Sequence, residues 1–112
     1  MNLPNAPCAV VERSKIVDCI LNPAHPENGG KAPFFFSLGF RRNEWEPLAA
    51  ALLGLAESHH VAKNVVSRHG RKYIVDGRIR TPSGKAPMVR TVWIVDAGRE
   101  KPRLVTAYPW EE

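Results

Sequence analysis

Cysteine is scarce in this chain: Cys8 and Cys19 are the only two. Their spacing fits neither a zinc site nor a redox pair, so the chain is expected to work reduced, in the cytoplasm. Long apolar runs are missing. No stretch approaches membrane-spanning length, and the N-terminus lacks the charged and apolar regions of a secretion signal, so no membrane association is expected. The familiar catalytic patterns are missing as well: there is no phosphate-binding glycine loop, no GxSxG elbow and no histidine pair at metal-ligand spacing. His59 and His60 are adjacent, and adjacent residues on a helix or strand point different ways, so they do not make a joint metal site. Neither a metal nor a cofactor is expected.

What is present suits one globular domain spanning residues 1–112, with 44% hydrophobic and 24% charged residues. The net charge of +5 is unevenly placed. Residues 1–57 hold five Lys/Arg and six Asp/Glu, whereas residues 58–112 hold eleven and five. Residues 58–90 are the extreme, with eight basic residues and a single acid, Asp76. Such a stretch suits a polyanionic partner, either RNA or a small acidic protein.

The chain divides into a helical half, 10–58, and a β half, 60–109. Residues 1–9 carry two prolines and read as an extended arm. Ser14 is placed to cap a short helix over Lys15 to Leu21, with Ile16, Val17 and Ile20 inward and Asn22-Pro23 as its end. The segment from Pro23 to Gly30 is turn chemistry. A second short helix begins near Pro33, carries Phe34, Phe35, Phe36 and Leu38 as a mostly buried turn, and stops at Gly39. Asn43 and Glu46 form a capping-box pattern ahead of a third helix, whose inward stripe is Trp45, Leu48, Leu52 and Leu55. From His60 the period changes to two. Val61 to Ser67, Arg71 to Arg80, Met88 to Val95 and Leu104 to Tyr108 read as strands, joined by turns at Arg68-His69-Gly70 and Pro82-Ser83-Gly84 and by a longer loop, Asp96 to Pro102. Helices first and a strand meander second predict an α+β domain: N-terminal helices packed on one face of a four-stranded antiparallel sheet.

Two regions carry chemistry. His25 sits six residues before Lys31, with Gly29 and Gly30 between them. Histidine can exchange protons near neutral pH, lysine supplies positive charge, and glycines admit a ligand closely. Cleavage of RNA without a metal needs such parts: a base for the 2′-hydroxyl proton, an acid for the leaving 5′-oxygen, and cations or hydroxyls around the phosphorane. The last two strands offer Arg90, Thr91, Thr106 and Tyr108 within apolar runs. Period two puts Arg90, Val92 and Ile94 on one face and Thr91, Trp93 and Val95 on the other, with Leu104, Thr106 and Tyr108 sharing a face of the fourth strand. Thr106 and Tyr108 can therefore line a cleft with Arg90 or with Thr91, but not both. Trp93 reads as core.

The segment Leu21-Asn22-Pro23-x-His25-Pro26…Gly30-Lys31-Ala32…Phe35…Leu38-Gly39-Phe40, with the ending Leu104-Val105-Thr106-Ala107-Tyr108-Pro109, resembles an uncharacterised family of small bacterial domains found alone and as toxin-like modules. At fold level the chain resembles the ribonuclease toxins of the barnase–EndoU–colicin–RelE group. That second resemblance implies catalytic roles for His25, Lys31, Arg90, Thr106 and Tyr108. It also implies a toxin–antitoxin or immunity pair, with RNA as substrate and an acidic antitoxin or immunity protein as partner. The chain departs from the EndoU pattern, in which two histidines act: a second one is not obvious here, and His69, on a turn, serves only if that turn folds over the cleft. A non-catalytic nucleic-acid- or protein-binding module is the alternative. In either case Lys63, Arg68, Arg71, Lys72, Arg78 and Arg80 are expected to bind RNA as one continuous basic surface.

Overall fold

Alternating apolar residues fold the second half of the chain into a sheet. The computed structural model describes residues 1–26 and 29–111 and contains four strands: β1 Val61–Ser67, β2 Gly70–Arg78, β3 Met88–Asp96 and β4 Arg103–Pro109. They pair antiparallel in the order β1-β2-β3-β4. Register puts Tyr73 opposite Trp93, Val75 opposite Thr91 and Ala107 opposite Thr91 on its other side. One face of the sheet therefore carries Tyr73, Val75, Val89, Thr91, Trp93, Leu104 and Ala107, all buried. This is the expected α+β architecture, helices first.

The main helix, α2 Glu46–Ser58, buries Leu48, Leu52 and Leu55 together with Ala49 and Ala56 in the same core. Each leucine removed from water contributes about 1.5–3 kcal/mol. The start of α2 differs from the expected capping box. Asn43 lies in a tight turn closed by the Glu44 N–H on the Arg41 carbonyl (3.1 Å), so its side chain is not at the helix end. The helix opens instead at Trp45, which makes no side-chain cap bond. Trp45 is held by packing against the core, and packing sets the boundary two residues later than local capping chemistry does.

The shorter helices follow the same rule. Ser14 makes no cap bond, and Lys15–Ile20 is a widened π turn. The Leu21 N–H reaches back five residues to the Ile16 carbonyl (2.8 Å). Widening brings Ile16, Ile20 and Leu21 all inside, each fully buried. In α1 Ala32–Ser37, Phe35 is buried but Phe36 is 37% exposed. Successive residues on a helix point about 100° apart, so three consecutive phenylalanines cannot all face inward from so short an element. Phe35 makes edge contacts with Phe34 and Phe40. Gly39 takes the left-handed conformation (φ 95°) and ends α1 as expected. Glu27 and Asn28, within the expected turn 23–30, lie outside the described residues.

The N-terminal arm is not simply extended. Leu3 and Ala6 enter the core, and Ala6–Cys8 forms a single 3₁₀ turn. The arm meets both edges of the sheet. Asn2 bridges His60 beside the start of β1, and Val10 pairs in parallel with Arg103 at the start of β4. Among the described residues no helix is long and apolar enough to cross a membrane.

Candidate functional site

The chemistry gathers on the sheet face turned away from α2, and a β-bulge decides which β4 residues reach it. Val92 faces Thr106 but Trp93 faces Leu104, which leaves Val105 as an extra residue on β4. An inserted residue resets the alternation. Leu104 and Ala107 consequently both point into the core, while Thr106 and Tyr108 turn to the other face. Strict alternation placed Leu104 with Thr106 and Tyr108; the bulge separates them.

On this face Tyr108 stands directly opposite Arg90, and Arg90 directly opposite Asp76. The Arg90 guanidinium donates from Nε and Nη2 to the two Asp76 carboxylate oxygens, both at 2.8 Å. It also sits over the Trp110 ring, with Cζ 3.3 Å from the ring centre. The two side chains of the ion pair are only 20% and 15% exposed. The hydrogen bond to Asp76 holds Arg90 above its ordinary pKa against the opposing effect of burial; the charge of Asp76 and the neighbouring Tyr108 add to it. One edge of the guanidinium is thus committed to the sheet.

Lys31 completes the group from the other half of the chain. It ends the 3₁₀ turn Gly29–Lys31 and directly precedes α1, where buried Ala32 anchors it. Its Nζ donates to Thr106 Oγ1 at 2.9 Å, a bond that spans 75 residues of sequence. The same ammonium lies 5.2 Å from the centre of the Tyr108 ring, within cation–π reach. Next to this group, Phe34, Arg78, Met88 and Trp110 line an open groove.

Of the expected catalytic residues, Lys31, Arg90, Thr106 and Tyr108 share this face. His25 is half-buried and ends a turn in which its N–H bonds the Asn22 carbonyl (3.1 Å). Thr91 belongs to the core: its hydroxyl donates to the Val75 carbonyl (2.7 Å) and accepts from Trp93 Nε1 (2.8 Å). Trp93 is fully buried, as its pattern indicates. The basic stretch does not occupy one face. Register puts Lys63, Lys72 and Arg78 on the Arg90 face and Arg71 on the opposite one, where it donates to Asn64 Oδ1 at 2.6 Å. Arg68 sits on the β1–β2 turn. Arg80 follows β2 and lines a separate recess with Arg78 and His59. Period two divides any basic run along a strand in this way. Sequence reasoning missed Asp76 and Trp110. The lone acid in a basic stretch was the available signal for the first. Among the described residues no three His, Cys, Asp or Glu side chains gather closely enough to hold a metal ion.

Residues 2–111 match the family model described as "Domain of unknown function (DUF6883)". The chain belongs to the DUF6883 family. No curated protein matches this DUF6883 chain in sequence. Its fold is shared with a chain of the "Contact-dependent growth inhibition toxin - immunity protein complex from Klebsiella pneumoniae 342". The TM-score is 0.76 at 18% identity, over 96% of the DUF6883 chain and 97% of the other. At that identity the likeness concerns the fold.

Proposed function

We propose that this DUF6883 domain is a metal-independent endoribonuclease acting as a toxin within a toxin–antitoxin or immunity pair, with the cytoplasm as its site of action. One observation carries the reading: Lys31 crosses to the sheet and joins Thr106 and Tyr108. A cation and two hydroxyls on a half-buried surface, beside the Arg90–Asp76 pair, are suited to an anionic phosphorane. In the proposed reaction His25 takes the proton of the ribose 2′-hydroxyl, and the 2′-oxygen attacks phosphorus. The bond to the 5′-oxygen breaks, and that oxygen leaves with a proton from the Lys31 ammonium. The products are a 2′,3′-cyclic phosphate and a 5′-hydroxyl. Thr106 and Tyr108 donate to the non-bridging oxygens. Arg90, locked by Asp76, holds Tyr108 and Trp110 in place. The fold shared with a chain of a toxin–immunity complex supports the paired setting, and a basic domain favours an acidic protein as its partner.

The test is cleavage of mixed-sequence RNA in the presence of a chelator. His25→Ala should slow it by about two to four orders of magnitude, the usual share of a general acid–base group. Lys31→Ala should slow it while the fold is kept. Equal cleavage by wild type and the His25 variant would remove His25 from the site. RNA binding should weaken steeply with salt, chiefly through Lys63, Lys72 and Arg78, which share the Arg90 face. No binding at low salt would end every nucleic-acid reading.

A non-catalytic binding module is the second reading. It is favoured by Arg90, whose inner edge is taken by Asp76 and whose face is covered by Trp110.

A further inference from the structure

A strand at the edge of a sheet presents a row of backbone N–H and C=O groups to whatever can pair with them. β1 is such a strand. Its first residues are served by the chain itself, since Asn2 bridges His60 and the Val61 N–H reaches the Met1 carbonyl (2.7 Å). From Ala62 to Ser67, no backbone pairing on the outer side occurs among the described residues. Every side chain in that stretch is exposed. Val65 is 47% and Val66 61% exposed, and the two point to opposite faces of the strand. β-branched apolar residues on both faces of an open edge form a pairing surface that solubility alone disfavours.

Charge selects the occupant. Residues 61–75 hold Lys63, Arg68, Arg71 and Lys72 and no Asp or Glu. A second copy of this chain would set this basic hairpin against itself. RNA would use the cations but leave the backbone carbonyls and the two valines unmatched. An extended segment of an acidic protein satisfies all three features: it pairs with the backbone, covers the valines with alternate side chains, and neutralises the lysines and arginines.

We propose that the β1 edge from Ala62 to Ser67 is a docking site for an extended, acidic segment of a partner protein, which adds a fifth strand to the sheet. The proposal rests on the reading above only in supposing an acidic protein partner, and it stands whether or not the chain cuts RNA.

The probe is a short synthetic peptide alternating Glu with Val, titrated into the full chain and followed by backbone amide NMR and hydrogen exchange. The expected result is shift changes and exchange protection confined to the β1 residues. They should be lost when alternate peptide nitrogens are methylated or Lys replaces Glu. Lys63→Glu combined with Lys72→Glu should weaken binding by about tenfold or more. Val66→Asp should do the same, with unchanged shifts around buried Trp93 showing that the fold is kept. Four outcomes overturn the proposal. The peptide shifts no β1 amide at millimolar concentration. It shifts residues around Tyr108 and Trp110 instead. A uridine oligonucleotide protects the same amides more strongly than the peptide, making the edge an RNA track. Or the free chain self-associates through β1, making the occupant a second copy. RNA cleavage is scored separately, so its failure removes the catalytic reading and leaves this result in place.

Discussion

The β4 edge of the sheet receives the Val10 backbone, which pairs with Pro102 and Leu104, and the Lys31 side chain, which bonds Thr106. The β1 edge receives Met1 and Asn2 at its start, and beyond them its side chains are exposed. The two edge strands have equal lengths and similar β-branched content, yet one is bound into the core and the other is not. Strand propensity therefore does not separate them. What separates them is whether distant chain returns to cover the edge. A covered edge can hold charged and hydroxyl groups in fixed geometry, as the Lys31–Thr106–Tyr108 group requires. An open edge is left to solvent, and here it shows Lys63, Asn64 and Ser67 together with the exposed Val65 and Val66.

Matched truncations test the contrast most strongly. Leu104→Ala on β4 should destabilise by about 2–5 kcal/mol, because it empties a fully buried site. Leu52→Ala on α2 should fall in the same range of about 2–5 kcal/mol. A loss below about 0.5 kcal/mol at either position, read from denaturant unfolding, would undo the helix-on-sheet core.

The next largest effect belongs to the ion pair beneath Trp110. Asp76→Ala should cost about 1–3 kcal/mol, because it leaves a mostly buried guanidinium without its carboxylate. It should also change Trp110 fluorescence as Arg90 loosens from the ring. A stability change with no change in Trp110 emission would separate the pair from the stacking contact.

On the open edge, Val66→Ala should change stability by no more than about 0.5 kcal/mol. A cost comparable to that of Leu104→Ala would mean that β1 is covered in solution, and the comparison would break.

The smallest effect is pH-dependent. Asp96 lies on the Arg90 face and accepts from Arg103 Nε at 2.8 Å and Nη2 at 3.1 Å. That hydrogen bonding holds its carboxyl below the ordinary value of 3.8, against the opposing effect of burial and with the charge of Arg103 adding to it. A depressed carboxylate stabilises the fold above its ordinary pKa and loses that contribution as pH falls through the lowered value. The melting temperatures of wild type and Asp96→Asn should therefore differ slightly near neutral pH and converge in acid. A gap that widens in acid would contradict the assignment. Because the pair is about a third or more exposed, added salt should shrink the gap as well.

Much of this is legible in the sequence. The change of period at His60 located the sheet, and the four strands start and end within two residues of their pattern-based limits. The leucine stripe of α2, the buried Trp93 and the stop at Gly39 were legible for the same reason. Each depends on spacing within one segment, and spacing is written locally. Lys31, Arg90, Thr106 and Tyr108 could be named from their chemistry, although nothing local says that Lys31 meets Thr106.

The sequence by itself determined element type, element order and the basic character of the second half, because periodicity and composition act over a few residues. Only the tertiary structure decided the rest. The bulge at Val105 moved Leu104 away from Thr106, because the core face needed an apolar side chain opposite Trp93. The turn at Arg41–Glu44 removed Asn43 from its cap, because the burial of Trp45 set the helix start. Asp76 took the edge of Arg90, because antiparallel register set them opposite one another. Each outcome turns on a contact between residues that local pattern cannot pair. Which hydroxyls face outward, which cations face one another and which edge stays open are consequences of how the whole chain packs.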